Sequence, residues 1–159
     1  MSTQAVTASP GFQKAMAQVE MLPGEETHFA IQADGYFQGA NPIQKVLAQV
    51  QAALTRLTGG YIRIYAVVTN RRVLLVQSMQ AWCGCTRVEG VNAIGLASVR
   101  EVGMGKETRV CCVHTRAVHL ESMTQRYTFV VTKLGDKAMK DFVSNLSAVL
   151  VANAEKASM

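Results

Sequence analysis

Long apolar runs are missing from this chain. None approaches the roughly 18–20 residues that a membrane-spanning helix needs. The opening residues, MSTQAVTASPG, lack the basic start and apolar stretch of a secretory leader. The expected location is therefore cytoplasmic. Charge is also scarce, at 17% of 159 residues against 49% apolar, a balance that excludes a disordered chain. Aromatics make up 6%, and no basic cluster has stacking residues interleaved, which argues against nucleic-acid binding.

Catalytic and metal motifs are missing too. There is no H-E-x-x-H, nucleophile elbow, P-loop or dinucleotide fingerprint. The stretch GMGKET has glycines and a lysine but not the phosphate-loop spacing. His114 and His119 lie an odd number apart, so in one regular strand they face opposite sides. The four cysteines fall as C-G-C (Cys83, Cys85) and C-C (Cys111, Cys112), neither of which is a C-x-x-C pair. The expected state is small buried thiols in a reducing compartment. No enzyme activity, cofactor or metal is expected.

What is present starts with charge order. The net charge is +5, and every acidic residue lies at or before Asp34 or at or after Glu89. Between them stand Lys45, Arg56, Arg63, Arg71, Arg72 and Arg87, a wholly cationic block. Such a block either solubilises or faces an anion. Arg71 and Arg72 sharpen the choice, because they sit at a turn between two apolar runs in IYAVVTNRRVLLVQ. Arginine there shields strands from edge-on association. Its planar fork also suits phosphate, although neighbouring turn residues splay apart.

A length of 159 residues suits one domain with an ample core. Residues 1–9 are expected to be a flexible tail ahead of a single domain over 10–154. Ser9-Pro10 predicts a capped helix over 10–21. The residues after Pro23-Gly24 predict a strand at about 26–33. Asn41-Pro42 opens a second predicted helix, 42–58, ended by Gly59-Gly60. Its apolar stripe is Ile43, Val46, Leu47, Val50, Leu54 and Leu57.

From residue 61 the apolar period is two. Ile62, Ile64, Ala66 and Val68 share one face, and Arg63, Tyr65 and Val67 share the other. A return strand comes next at RVLLVQS and a third at 80–88, with Trp82 as an anchor and a turn at Gly90 and Asn92. AIGLASVREVGMG predicts a short strand bent at Gly103 and Gly105. TRVCCVHTRAVHL and QRYTFVVTK predict a further pair. Met139, Phe142, Val143, Leu146, Val149 and Leu150 then form a helical stripe over 136–153, with Asp136 favourably placed at its start. Strands and helices do not alternate, so the class is α+β, mainly β.

Four pieces in this order resemble the bacterial pleckstrin-homology-like (PH-like) domain: LPGEETHFAIQADGYF, VVTNRRVLLV, AIGLASVREVGMG and YTFVVTKLGDKAMKDFVSNL. They cover about residues 22–152. The resemblance implies a strongly bent antiparallel sheet or barrel capped by a C-terminal helix. The N-terminal helix, and the helix inserted between the first two strands, depart from the simplest pattern. Members of this fold bind lipids, peptides or copies of themselves, so fold leaves function open.

Two functions are weighed. If the terminal helix plugs the sheet, the 43–57 stripe needs other cover. Its six aliphatic side chains contribute roughly 9–18 kcal/mol gross when buried, at about 1.5–3 each. That favours a protein partner or a homo-oligomer, as the resemblance also implies, with Ile43, Val46, Leu47, Val50, Leu54 and Leu57 at the interface. The alternative is anionic lipid or another anion met by Lys45, Arg56, Arg63, Arg71, Arg72 and Arg87, at the inner membrane face. Lys45 and Arg56 are the only cations on the inserted helix, and each adds only about 1 kcal/mol near anionic lipid.

Overall fold

A computed structural model describes residues 6–34, 37–38, 57, 59–80, 85–109, 113–124, 126–131 and 135–157. In chain order the elements are α1 (Pro10–Met16), β1 (Thr27–Asp34), β2 (Phe37–Gln38), β3 (Tyr61–Thr69), β4 (Arg72–Gln80) and β5 (Thr86–Gly95). A 3-10 turn (Leu96–Ser98) leads into β6 (Val99–Arg109), β7 (Val113–Ser122), β8 (Arg126–Val131) and α2 (Asp136–Ala157). Among the described residues the strands form two four-stranded antiparallel sheets, ordered β1-β3-β4-β5 and β2-β8-β7-β6. The mainly-β class with a closing C-terminal helix is evident in this order.

The first sheet is buried on both faces. Ile64, Ala66 and Val68 of β3, with Val73 and Leu75 of β4, point into a core shared with Val118, Leu120 and Phe129 of the second sheet. Met139, Phe142 and Leu146 of α2 fill that core, and Phe142 meets Phe29 edge-on at 5.8 Å. The alternate residues Tyr65, Val67, Leu74 and Val76 face the other way. There Val6, Phe12 and Ala15 cover them, and Phe12 meets Tyr65 edge-on at 5.5 Å. Two-sided burial explains why AVV and VLLV are unbroken apolar runs and not an alternation. The α2 stripe read from the sequence is the one that packs.

The N-terminal segment departs from expectation. Ser9 caps α1, its hydroxyl accepting from the Phe12 N–H at 3.3 Å. The helix stops at Met16, short of residue 21, as its final turn tightens through Gln18 N–H to Ala15 C=O and Val19 N–H to Met16 C=O. The Gln18 side chain then leaves for the margin of β5, where its amide donates to Thr86 C=O at 3.4 Å and accepts from Val88 N–H at 3.1 Å. Residues 6–9 are no flexible tail, since Val6 is buried in the outer core.

The strands also correct the sequence. Gly90 and Asn92 lie inside β5, paired with Gln77 and Leu75, and the register shift at Gln77/Ser78 takes up the irregularity that the turn was expected to supply. Gly103 and Gly105 do not bend β6; they pair with His119 and Ala117 in an unbroken ladder. TRVCCVHTRAVHL is two strands, since Arg109 already pairs back with Val113. Cys85 is exposed, not buried; the other three cysteines and Trp82 lie outside the described residues.

Among the described residues, the buried Tyr65 hydroxyl has no hydrogen-bond partner. An unsatisfied buried hydroxyl costs about 1–3 kcal/mol. Tyr65→Phe is therefore expected to leave stability unchanged or raise it by about 1 kcal/mol in denaturant unfolding. A loss of stability would show that the hydroxyl is satisfied after all.

Candidate functional site

The turn that carries the paired arginines is built as a latch. Arg72 reaches back across the sheet margin to Glu25, its Nε 2.8 Å from Oε1 and its Nη2 2.9 Å from Oε2. Nη2 also donates to the Glu20 C=O at 2.8 Å. Glu25 accepts from the Leu22 N–H at 2.8 Å, and its side chain is fully buried. The Thr69 hydroxyl lies 2.8 Å from both Glu25 Oε1 and the Arg72 C=O, and accepts from the N–H groups of Arg71 and Arg72. Asn70 exchanges bonds with the Glu26 backbone and donates to the Gly24 C=O. Thr69, Asn70 and Arg72 thus pin residues 20–26 to the hairpin, and the role of Arg72 is structural.

Pleating scatters the rest of the basic block. Arg71 stands in the turn ahead of β4, where a Cβ on Gly24 would come within 3.7 Å of its Nη2. Arg71 is exposed and borders a shallow hollow with Leu96, Leu150 and Asn153. Arg63 points to the outer face beside α1, where a Cβ on Gly11 would come within 3.0 Å of its Nη1. Arg87 is exposed on β5, opposite Met79 in register and so out of phase with the outer-core Val88. Among the described arginines of the block, Arg63 and Arg72 share the outer phase, but Glu25 occupies Arg72, and Arg87 is out of phase with them. Lys45 and Arg56 lie outside the described residues.

Three other cations do converge. Lys106 of β6 and Arg116 of β7 are direct register partners, in phase with Met104 and Val118 and hence with the inner core. Asp136, in the first turn of α2, meets both: Arg116 Nε at 2.5 Å and Lys106 Nζ at 4.0 Å. Lys140 stands one turn further along. With Met104, Gly105 and Met139 these side chains line a cleft of about 190 Å³. The sequence did carry a signal for it: Lys106 and Arg116 each stand where the strand alternation calls for an apolar residue. Using that signal needs the register between β6 and β7, and the strand misread over 108–120 hid it.

Of the apolar stripe expected to form an assembly surface, only the last member is described. Ile43, Val46, Leu47, Val50 and Leu54 lie outside the described residues. Leu57 is helical and 84% exposed. Gly59 comes soon after with φ +72°, the left-handed geometry that lets a glycine stop a helix without strain. Tyr61, 55% exposed, stands just beyond.

No other chemistry gathers here. Among the described residues no three His, Cys, Asp or Glu side chains cluster as metal ligands would, and no helix is long and apolar enough to cross a membrane. No family model matches the chain, and no curated protein matches it. Among solved structures, the hSac2 domain from the human phosphoinositide phosphatase Sac2 is similar at a TM-score of 0.46 and 10% identity, over 94% of this chain and 81% of that one. A likeness of that degree carries no functional argument.

The latch makes a pH prediction. Hydrogen bonds from Arg72 are the main cause that holds Glu25 down from 4.5 to about 2, against the opposing pull of burial. A depressed carboxylate stabilises the fold above its unfolded value, and that contribution fades as pH falls through the folded one. Glu25→Gln is expected to cost roughly 2–3 kcal/mol at neutral pH, as for a lost charged hydrogen-bond set. The gap between wild type and variant in urea melts should close between pH 4.5 and about 2. A gap that stays constant over that window contradicts the assignment.

Proposed function

We propose that this chain is a non-catalytic PH-like interaction module that assembles with further copies of itself. The β1-β3-β4-β5 sheet, the β6–β8 ladder and the closing α2 agree with the bent sheet and terminal helix that the sequence resemblance implies. The helix predicted at 42–58 is an addition to the simplest form of that pattern.

One observation carries the assembly reading. Leu57, the one described member of the Ile43–Leu57 ridge, stands 84% exposed. Along β3 and β4 both faces of the first sheet are already covered, one by α1 and Val6 and the other by α2 and the second sheet. Those strands offer the ridge no seat. An apolar ridge ending in exposed Leu57 and Tyr61 gains most from a second copy that presents the same surface.

The alternative is an anionic membrane surface met by Lys45, Arg56, Arg63, Arg71, Arg72 and Arg87. It is the weaker reading. Arg72 is held by Glu25, and Arg63, Arg71 and Arg87 do not converge.

Light scattering across a range of concentrations tests the proposal. Wild type is expected to run at a multiple of 17.2 kDa. Leu57→Glu should weaken association by about tenfold or more, near 1.4 kcal/mol. At dilutions where both chains run as monomers, its unfolding midpoint should match that of wild type, because the position is open to solvent. A wild-type chain that stays strictly monomeric overturns the proposal.

A further inference from the structure

We propose that the cleft between β6, β7 and the start of α2 binds the dianionic phosphoryl group of a small phosphomonoester. The site shares no residue with the predicted assembly ridge or the basic block, so it stands or falls independently of both.

The argument begins with phase. Lys106 and Arg116 occupy core-facing positions in paired strands, directly opposite each other. Two cations side by side repel, and like charges directly across a ladder destabilise it. Asp136 answers only part of that charge. It holds Arg116 through Nε at 2.5 Å, while Lys106 Nζ stays 4.0 Å away, beyond hydrogen-bond reach. Lys140 has no ion-pair partner among the described residues. Among the described residues, three cations against one carboxylate leave the lining with a surplus of two.

That surplus selects the ligand. A phosphomonoester carries about −1.5 to −2 at neutral pH, which matches it, and offers three strong acceptor oxygens to the lysines and the guanidinium. A carboxylate or a phosphodiester brings a single charge and leaves half of the surplus unanswered. Size narrows the choice further. The cleft, about 190 Å³, is smaller than the roughly 300–1,000 Å³ of drug-sized sites, so its walls suit a phosphoryl group on a short stem. Met104 and the buried Met139 give that stem an apolar wall. Asp136 faces the same space and repels an incoming anion, so binding is expected to be weak, in the millimolar range.

The probes are inorganic phosphate, glycerol phosphate, sulfate, and phosphatidylcholine vesicles with or without phosphatidic acid. In amide NMR titrations of the wild-type chain, phosphate and glycerol phosphate should saturably shift Lys106, Arg116 and Lys140. Lys106→Gln with Lys140→Gln should weaken the effect by about tenfold or more. Both lysines are exposed, so the double variant should keep the wild-type unfolding midpoint. Phosphate binding should fall at about pH 5, where the ester takes up its second proton, while sulfate binding should hold. Vesicle binding that needs phosphatidic acid and both lysines identifies a lipid headgroup as the source. Binding of the soluble probes alone identifies a free phosphorylated metabolite. No saturable response to any phosphate probe, or a response undiminished in the double variant, overturns the proposal.

Discussion

Burying one sheet on both faces is the constraint on which the rest of this fold depends. β3 and β4 carry large apolar side chains at successive positions, and each face needs its own cover. The inner face is served by the second sheet and α2, the outer face by α1 and Val6. The outer cover is short, only seven residues of helix, and cannot hold itself in place. The next stretch of chain anchors it: Gln18 on the β5 margin, then residues 20–26 fixed to the hairpin through Glu25, Asn70 and Arg72. Arg72, which looked like a surface feature, is part of what keeps the outer core closed.

Adjacent arginines have different fates here. Arg72, in phase with Leu74, is held by Glu25 of the returning N-terminal segment, while Arg71, in the turn ahead of β4, stays exposed. The fold likewise disperses the cationic block and gathers Lys106, Arg116 and Lys140, residues far apart in the chain. Charge density along a sequence and charge density in space are different quantities. In a sheet protein, strand phase and register convert one into the other.

Much of the fold was legible. The α2 stripe from Met139 to Leu150 was clear because a helix with one buried face keeps a strict 3.6-residue rhythm. The β3–β4 hairpin was clear because Asn70 and its neighbours interrupt two apolar runs at a length that suits only a tight turn. The failures lie where the turn chemistry is atypical. The connection between Arg109 and Val113 has no glycine, proline or asparagine, so a hairpin read as one strand. Gly90, Gly103 and Gly105 looked like turns yet sit in ladders, because tertiary pairing outweighs the weak intrinsic dislike of glycine for strands. The cationic cleft depended on the hairpin that was missed. The role of Arg72 depended on a partner 47 residues away, which no local pattern encodes.

Gln18 has a bearing on aggregation. Its carboxamide copies one peptide unit and occupies the donor and acceptor that β5 offers at Val88 and Thr86. An unoccupied strand margin recruits other chains. The N-terminal segment therefore roofs a greasy wall and blunts the rail beside it. A protease cut that freed this segment would uncover both together.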